Sequence, residues 1–167
     1  MERRSVRKEA ELLTEAEIDR VVGQYSQMLL RLAATRLNDP ADAEDAVQEV
    51  FLKLLTAQPV FRDAEHEKAW LIRATLNRAS DLRRAAANRS LPLEGAAQAA
   101  VPERDGALLW AVRALPEKYS AVIHLHYYEG YSLKEIGRML GLPAATVGSR
   151  LARGRERLRQ LLKEEIE

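Results

Sequence analysis

Residues 131–162 read YSLKEIGRMLGLPAATVGSRLARGRERLRQLL, the pattern of two helices joined by a tight turn. Ser132, followed three residues later by Glu135, fits a capping box, in which each side chain satisfies an orphan N–H at a helix start. Leu133, Ile136, Met139 and Leu140 then fall on one helical face. Gly141 suits the left-handed conformation that ends a helix. Pro143 suits the opening of the next one, where its missing N–H costs nothing. In the second helix Val147, Leu151, Leu158, Leu161 and Leu162 make an apolar stripe, while Arg150, Arg153 and Arg157 follow a different one, flanked by Arg155 and Arg159. Such a helix packs one side on a small core and offers the other to phosphates and base edges.

Outward from that stretch, the whole chain is close to neutral, with 26 basic and 25 acidic residues in 167. Bulk charge therefore does not announce a nucleic-acid binder, but its distribution does. Between positions 143 and 163 the basic residues are Arg150, Arg153, Arg155, Arg157, Arg159 and Lys163, against the single acid Glu156, a local positive field in a neutral protein. Abundant alanine and leucine, with few β-branched runs, favour an all-α fold. The absence of cysteine excludes disulfides, thiol nucleophiles and thiolate metal sites. The N-terminal MERRSVRKEAELL lacks the apolar core of a signal peptide, and no apolar run approaches the roughly 18 residues of a membrane span. A soluble cytoplasmic protein without membrane insertion is expected.

Along the chain, Thr14 with Glu17 fits another capping box, opening a helix from Glu15 to about Leu37 with Ile18, Val21, Val22, Tyr25, Leu29, Leu32 and Ala33 inside. Asp39 and Pro40 then read as N-cap and first helical residue of a helix to about Ala57. Ala43, Val47, Val50, Phe51, Leu54 and Leu55 face inward there, and Asp42, Glu44, Asp45, Gln48 and Glu49 make an acidic side. A loop from Val60 to about Glu65 leads to a third helix, His66 to about Ala87, with Trp70, Leu71, Ala74 and Leu82 toward the core and Arg73, Asn77, Arg78, Asp81 and Arg84 polar. Residues 88–106 break every periodicity and read as a flexible linker. A second module follows, with short helices over Ala107–Leu115 and from Pro116 to about Tyr128, in which Tyr119, Val122, Ile123, Tyr127 and Tyr128 are core candidates and Gly130 a terminator. The expected architecture is all-α: two small helical domains, 1–87 and 107–167, joined by the linker, the second a four-helix domain ending in the helix-turn-helix.

Taken together, three segments in this order resemble bacterial RNA polymerase sigma factors of the extracytoplasmic-function (ECF) class in the sigma-70 family. DAEDAVQEVFLKL, Asp42 to Leu54, is similar to the family's helix that docks on core polymerase. FRDAEHEKAWLIRATLNRASDLRR, Phe61 to Arg84, is similar to its −10 promoter segment, and Leu115 to Arg159 to its −35 domain. The resemblance implies a polymerase-binding role for Asp45, Gln48, Glu49 and Phe51. It implies −10 strand contacts for Phe61, Arg62, Asp63, Ala64 and Asn77, where a base flipped from the melted strand would be received. For the −35 duplex it implies Thr146, Gly148, Ser149, Arg150, Ala152 and Arg153. Glycine at 148 departs from the lysine or arginine frequent there, and it costs about 1 kcal/mol of helix propensity. Arg155, Arg157 and Arg159 fit phosphate clamps or solvated surface.

His124 and His126 make an H-x-H pair, but spacing two points them to different sides of a helix, so no metal is expected. No phosphate-binding glycine loop or nucleophile–base pattern suggests a catalytic site, a cofactor or a small-molecule substrate. The expected partners are core RNA polymerase, promoter DNA and, from the family, an anti-sigma factor. A stand-alone helix-turn-helix regulator is the alternative.

Overall fold

Local capping chemistry sets most helix ends in the computed structural model, which describes residues 13–89 and 103–166. Helix α1 spans Glu15–Ala34, and its capping box forms as expected: the Glu17 amide donates to Thr14 Oγ1 at 3.2 Å and the Thr14 amide to Glu17 Oε2 at 3.0 Å. Its end comes before Leu37 because Thr35 turns back on the helix, donating its hydroxyl to the Leu32 carbonyl at 2.7 Å. Helix α2, Pro40–Ala57, starts on Asp39, whose carboxylate accepts from the Ala41 amide at 2.9 Å, and stops at Gln58 with φ 42°. Helix α3, Ala64–Asn88, begins two residues before the expected His66, because Asp63 accepts from the His66 amide at 2.8 Å and caps the first turn.

These three helices bury Val21, Tyr25, Leu29, Leu32, Val47, Val50, Leu54, Leu71, Ile72 and Leu76 against one another. Burying one such side chain contributes about 1.5–3 kcal/mol. Val22, expected inside, is exposed.

The second domain begins with α4, Glu103–Ala114, which starts inside the segment read as linker; of that segment, residues 90–102 lie outside the described residues. Helix α5, Glu117–Ile123, does not run on as an α-helix to Tyr128. It widens into a π-helical turn over His124–Tyr128, with the Glu129 amide reaching the His124 carbonyl at 3.1 Å. The wider turn rotates later side chains away from the positions that a 3.6-residue period assigns. Tyr127 and Tyr128, expected in the core, are therefore exposed, and His124 is buried instead. Gly130, at φ 76°, ends the segment as expected.

Helix α6, Leu133–Leu140, carries the second capping box, Glu135 amide to Ser132 Oγ at 3.1 Å and Ser132 amide to Glu135 Oε1 at 3.3 Å. Gly141 closes it at φ 68°, and α7, Ala144–Ile166, follows with the Pro143 carbonyl accepting from Val147. The turn is tight enough that a Cβ on Gly137 would sit 2.6 Å from the Leu142 carbonyl oxygen. On the far side of α7, a Cβ on Gly154 would meet Ile123 at 3.0 Å, so α5 and α7 approach at a glycine. The two domains also pack on each other, mainly through α6 on α3.

Candidate nucleic-acid interface

The structure places the expected site residues on three surfaces. On α2, Asp45, Gln48 and Glu49 lie exposed along one stripe, as spacings of three and four require. Phe51 leaves this stripe: it is half-buried against the core, a third of a turn away. Glu49 is joined to Arg78 of α3 by a two-point ion pair, so its carboxylate is shared within the domain. The residue that completes the stripe is Leu52, 59% exposed. Sequence reading passed over it, although a count of seven from Asp45 lands on it.

The second surface surrounds the start of α3. The Phe61 ring meets His66 and Trp70 edge-on, at centroid distances of 5.4 and 5.9 Å, so Trp70 packs as a support. The Arg62 amide donates to His66 Nδ1 at 3.1 Å, and Asp63 is engaged as the cap. Ala64 and Glu65 are exposed in the first helical turn instead of a loop. Arg62, Asp63, Glu65, His66, Lys68 and Arg73 line a cleft of about 280 Å³. Its opposite wall is α6, through Glu135, Arg138 and Met139. His66, Lys68 and Arg73 were not picked out from the sequence, since their convergence depends on where α3 starts. Asn77 does not share the cleft. It lies 13 residues beyond Ala64, about 20 Å along the helix axis, in a shallow groove with Glu49, Lys53 and Arg78.

The third surface is α7. Val147, Leu151 and Gly154 are buried, which turns Ser149, Ala152 and Arg153 outward, with Thr146 and Arg150 half-exposed on one flank. Gly148 lies on the other flank, facing α6, where a Cβ would meet Leu133 at an ordinary 3.7 Å. The remaining arginines divide. Arg155 donates to the Tyr127 hydroxyl at 2.9 Å, Arg157 lies 5.1 Å from the Tyr119 ring centre, and Arg159 sits 3.4 Å from Glu156. The exposed Tyr127 and the buried Tyr119 thus border the basic helix.

Behind this surface, His124 and His126 have separate partners, as their spacing suggested. His126 Nδ1 is 2.7 Å from the Tyr131 carbonyl, and His124 Nε2 is 3.1 Å from Glu129 Oε1. Burial holds the His124 imidazole below its ordinary range, against the pull of Glu129 toward protonation. Burial also opposes ionisation of Glu129. Hydrogen bonding from Arg31 and the nearby His124 outweigh it, leaving that carboxyl below the usual carboxylate range.

Comparison with known proteins gives the three surfaces a common context. The family model for sigma-70 region 2 matches residues 21–89, and the model for sigma-70 region 4 matches residues 106–158. The ECF RNA polymerase sigma factor SigM of Mycobacterium tuberculosis is 35% identical over 149 residues, covering 86% of this chain and 76% of that protein. The solved structure of CnrH in complex with the cytosolic domain of CnrY superposes with a TM-score of 0.67 at 25% identity, over 90% of each chain. Bartonella quintana RpoE, solved in complex with the anti-sigma factor NepR, has the same fold, with a TM-score of 0.68 at 22% identity over 88% of this chain and 97% of that one.

Proposed function

The chain belongs to the ECF class of sigma-70 family sigma factors, and on that premise we propose how its two domains divide the work of directing RNA polymerase to promoters. The domain over 1–87 docks on core polymerase through the α2 stripe, Asp45, Gln48 and Glu49, with Leu52 as its apolar centre. An acidic stripe around one apolar residue combines charge steering with burial, which suits a basic partner surface. Phe61 supports the edge of the −10 cleft, Arg62 and Asp63 form its rim, and Ala64 lies exposed beside them. His66, Lys68 and Arg73 supply further positive charge for the phosphates of the melted strand.

The second domain, from α4 onward, reads the −35 duplex. Ser149, Ala152 and Arg153 enter the major groove, Arg150 and Thr146 flank them, and Gly148 contributes closeness instead of a contact. Arg155 and Arg157 grip phosphates from positions already ordered by Tyr127 and Tyr119. The chain supplies no catalytic group. Strand opening draws on binding alone, since a flipped base costs a few kcal/mol that stacking and hydrogen bonds in a protein cleft recover. It acts in the cytoplasm, and a separate anti-sigma protein controls it. Co-purification from the native host tests that control, and recovery with polymerase only would argue against it.

The observation that supports this division is the segregation of charge: an acidic stripe on α2 of one domain and a basic outward face on α7 of the other. A stand-alone helix-turn-helix regulator would leave the region 2 match over 21–89 without a purpose. Run-off transcription from a mapped promoter, with core polymerase and the purified chain, tests the division. Wild type should initiate, and a chain carrying Asp45→Lys and Leu52→Asp should not, while keeping its affinity for −35 duplex. Equal transcription by both would refute the α2 assignment.

A further inference from the structure

One ion pair ties the acidic stripe of α2 to α3 beside Asn77. Glu49 belongs to the stripe, and Arg78 is the residue after Asn77. The guanidinium donates to both carboxylate oxygens, Nε to Oε2 and Nη2 to Oε1, the latter at 3.2 Å. A two-point match of this kind fixes both side chains and occupies the edges that a phosphate or a partner's cation would take. The other acid at hand, Asp81, is engaged by Arg84 at 2.6 Å. Among the described residues, Glu49 is therefore the counter-charge of Arg78.

The pair lies within reach of water. Side-chain exposure is 39% for Arg78 and 45% for Glu49, and exposed pairs are held weakly enough to exchange partners. It borders the shallow groove of about 110 Å³ between α2 and α3, which also holds Asn77 and Lys53. The Lys53 ammonium stands 5.9 Å from the Trp70 ring centre. Four residues before Asn77 comes Arg73, exposed and lining the −10 cleft, and that spacing sets the two on one line of the helix surface. A strand leaving the cleft past Arg73 runs to Asn77 and so reaches the groove, where the cations are Lys53 and Arg78.

We propose that Arg78 is a further −10 DNA contact, a phosphate-binding arginine that Glu49 holds in reserve and polymerase docking on the α2 stripe releases. This rests on the assignment of α2 to polymerase and of α3 to −10 DNA. The step is an exchange of partners: a cation of the polymerase surface takes the Glu49 carboxylate, and a phosphate oxygen of the strand takes the Arg78 guanidinium. Whatever occupies Glu49 raises the fraction of chains with Arg78 open, and strand affinity scales with that fraction. By reciprocity, a strand bound to Arg78 leaves Glu49 open for docking. Glu49 thus acts on DNA only through Arg78, as a positioning residue.

The test sets the free chain beside the holoenzyme. Its probe is a short fluorescein-labelled single strand carrying the −10 sequence of a mapped promoter. Arg78→Gln should cost the free chain less than about twofold in strand affinity and the holoenzyme about three- to fivefold, the span that an exposed ion pair can mask. In the holoenzyme it should also lower the salt slope by about 0.7, the contribution of one single-strand phosphate contact. Arg78→Lys, which keeps the charge, should restore that slope. In the free chain Glu49→Gln should raise strand affinity about three- to fivefold by opening Arg78. Removing a negative charge near a strand raises affinity by itself, so the double variant Glu49→Gln, Arg78→Gln is the control, and in it the gain should vanish.

Thermal midpoints check that each variant folds, and Arg78→Met, which keeps an unbranched apolar stem on α3, repeats the comparison if Arg78→Gln melts early. Equal losses from Arg78→Gln in both states, a holoenzyme indifferent to it, or a Glu49→Gln gain that persists without Arg78 would overturn the proposal. Run-off transcription by wild type separates it from the reading beneath it. Failure of run-off indicts the polymerase and promoter assignments, whereas normal run-off without the state-dependent loss indicts the exchange at Arg78 alone.

Discussion

Single residues decide how the helix-turn-helix is built and how it responds to acid. Gly137 and Gly148 lie in the same pair of helices and make opposite demands. A methyl group at 137 would stand 2.6 Å from a backbone carbonyl, while one at 148 meets only the end of Leu133 at 3.7 Å. Gly137→Ala should therefore destabilise the domain by about 1–3 kcal/mol through strain. Gly148→Ala should stabilise it by up to about 1 kcal/mol through helix propensity. Urea unfolding of both variants measures the difference, and equal midpoints would refute it. His124 sets a pH dependence. Its folded pKa lies below the ordinary 6.5, so the unfolded chain binds more protons just below that value, and stability rises with pH across this window. The full contribution is present above about pH 6.5 and is lost as pH falls. Glu129, also depressed, loses its contribution only lower, as pH falls through its folded value. Thermal midpoints between pH 7.5 and 5 should fall for wild type and fall less for His124→Gln; parallel curves would contradict the assignment.

At the scale of helices, sequence reading was strongest where a local rule acts alone. Thr14–Glu17, Asp39–Pro40 and Ser132–Glu135 mark starts because each cap bonds within a few residues of itself, and all three form. Periodicity failed where geometry left the α-helix. Nothing in HLHYY announces a π-helical turn, so a 3.6-residue period assigns Tyr127 and Tyr128 inward and gives no sign that His124 is buried. Sites were legible as stretches and less so as residues. The α2 face was visible, but Phe51 belongs to the core and Leu52 to the surface. The cleft escaped because its walls come from α3 and α6, far apart in the sequence. Leu52→Asp alone should weaken core polymerase binding about tenfold or more, as truncating an interface centre does, with no change in thermal midpoint; unchanged binding would remove Leu52 from the interface. On α7, Arg155→Ala should weaken −35 duplex binding uniformly across sequences and lower the salt slope by about one. Arg153→Ala should also relax preference at one base pair. The same salt slope as wild type for Arg155→Ala would place that arginine off the phosphates.

For the whole molecule, the basic face of α7 is one of two handholds, and a modest one. Its positive charge is confined to one helix of a chain with net charge +1, which limits what duplex binding alone can contribute. Joining it to polymerase docking and −10 capture through one chain makes weak contacts effective together. Without polymerase the chain should thus bind promoter duplex weakly and without melting it. Permanganate footprinting of a mapped promoter tests this most directly, because unpaired thymines become reactive only where the strands have parted. Thymines in the −10 region should react with core polymerase and this chain together, and with neither alone. Reactivity with core polymerase alone, or a duplex held tightly by the chain without polymerase and never opened, would contradict it.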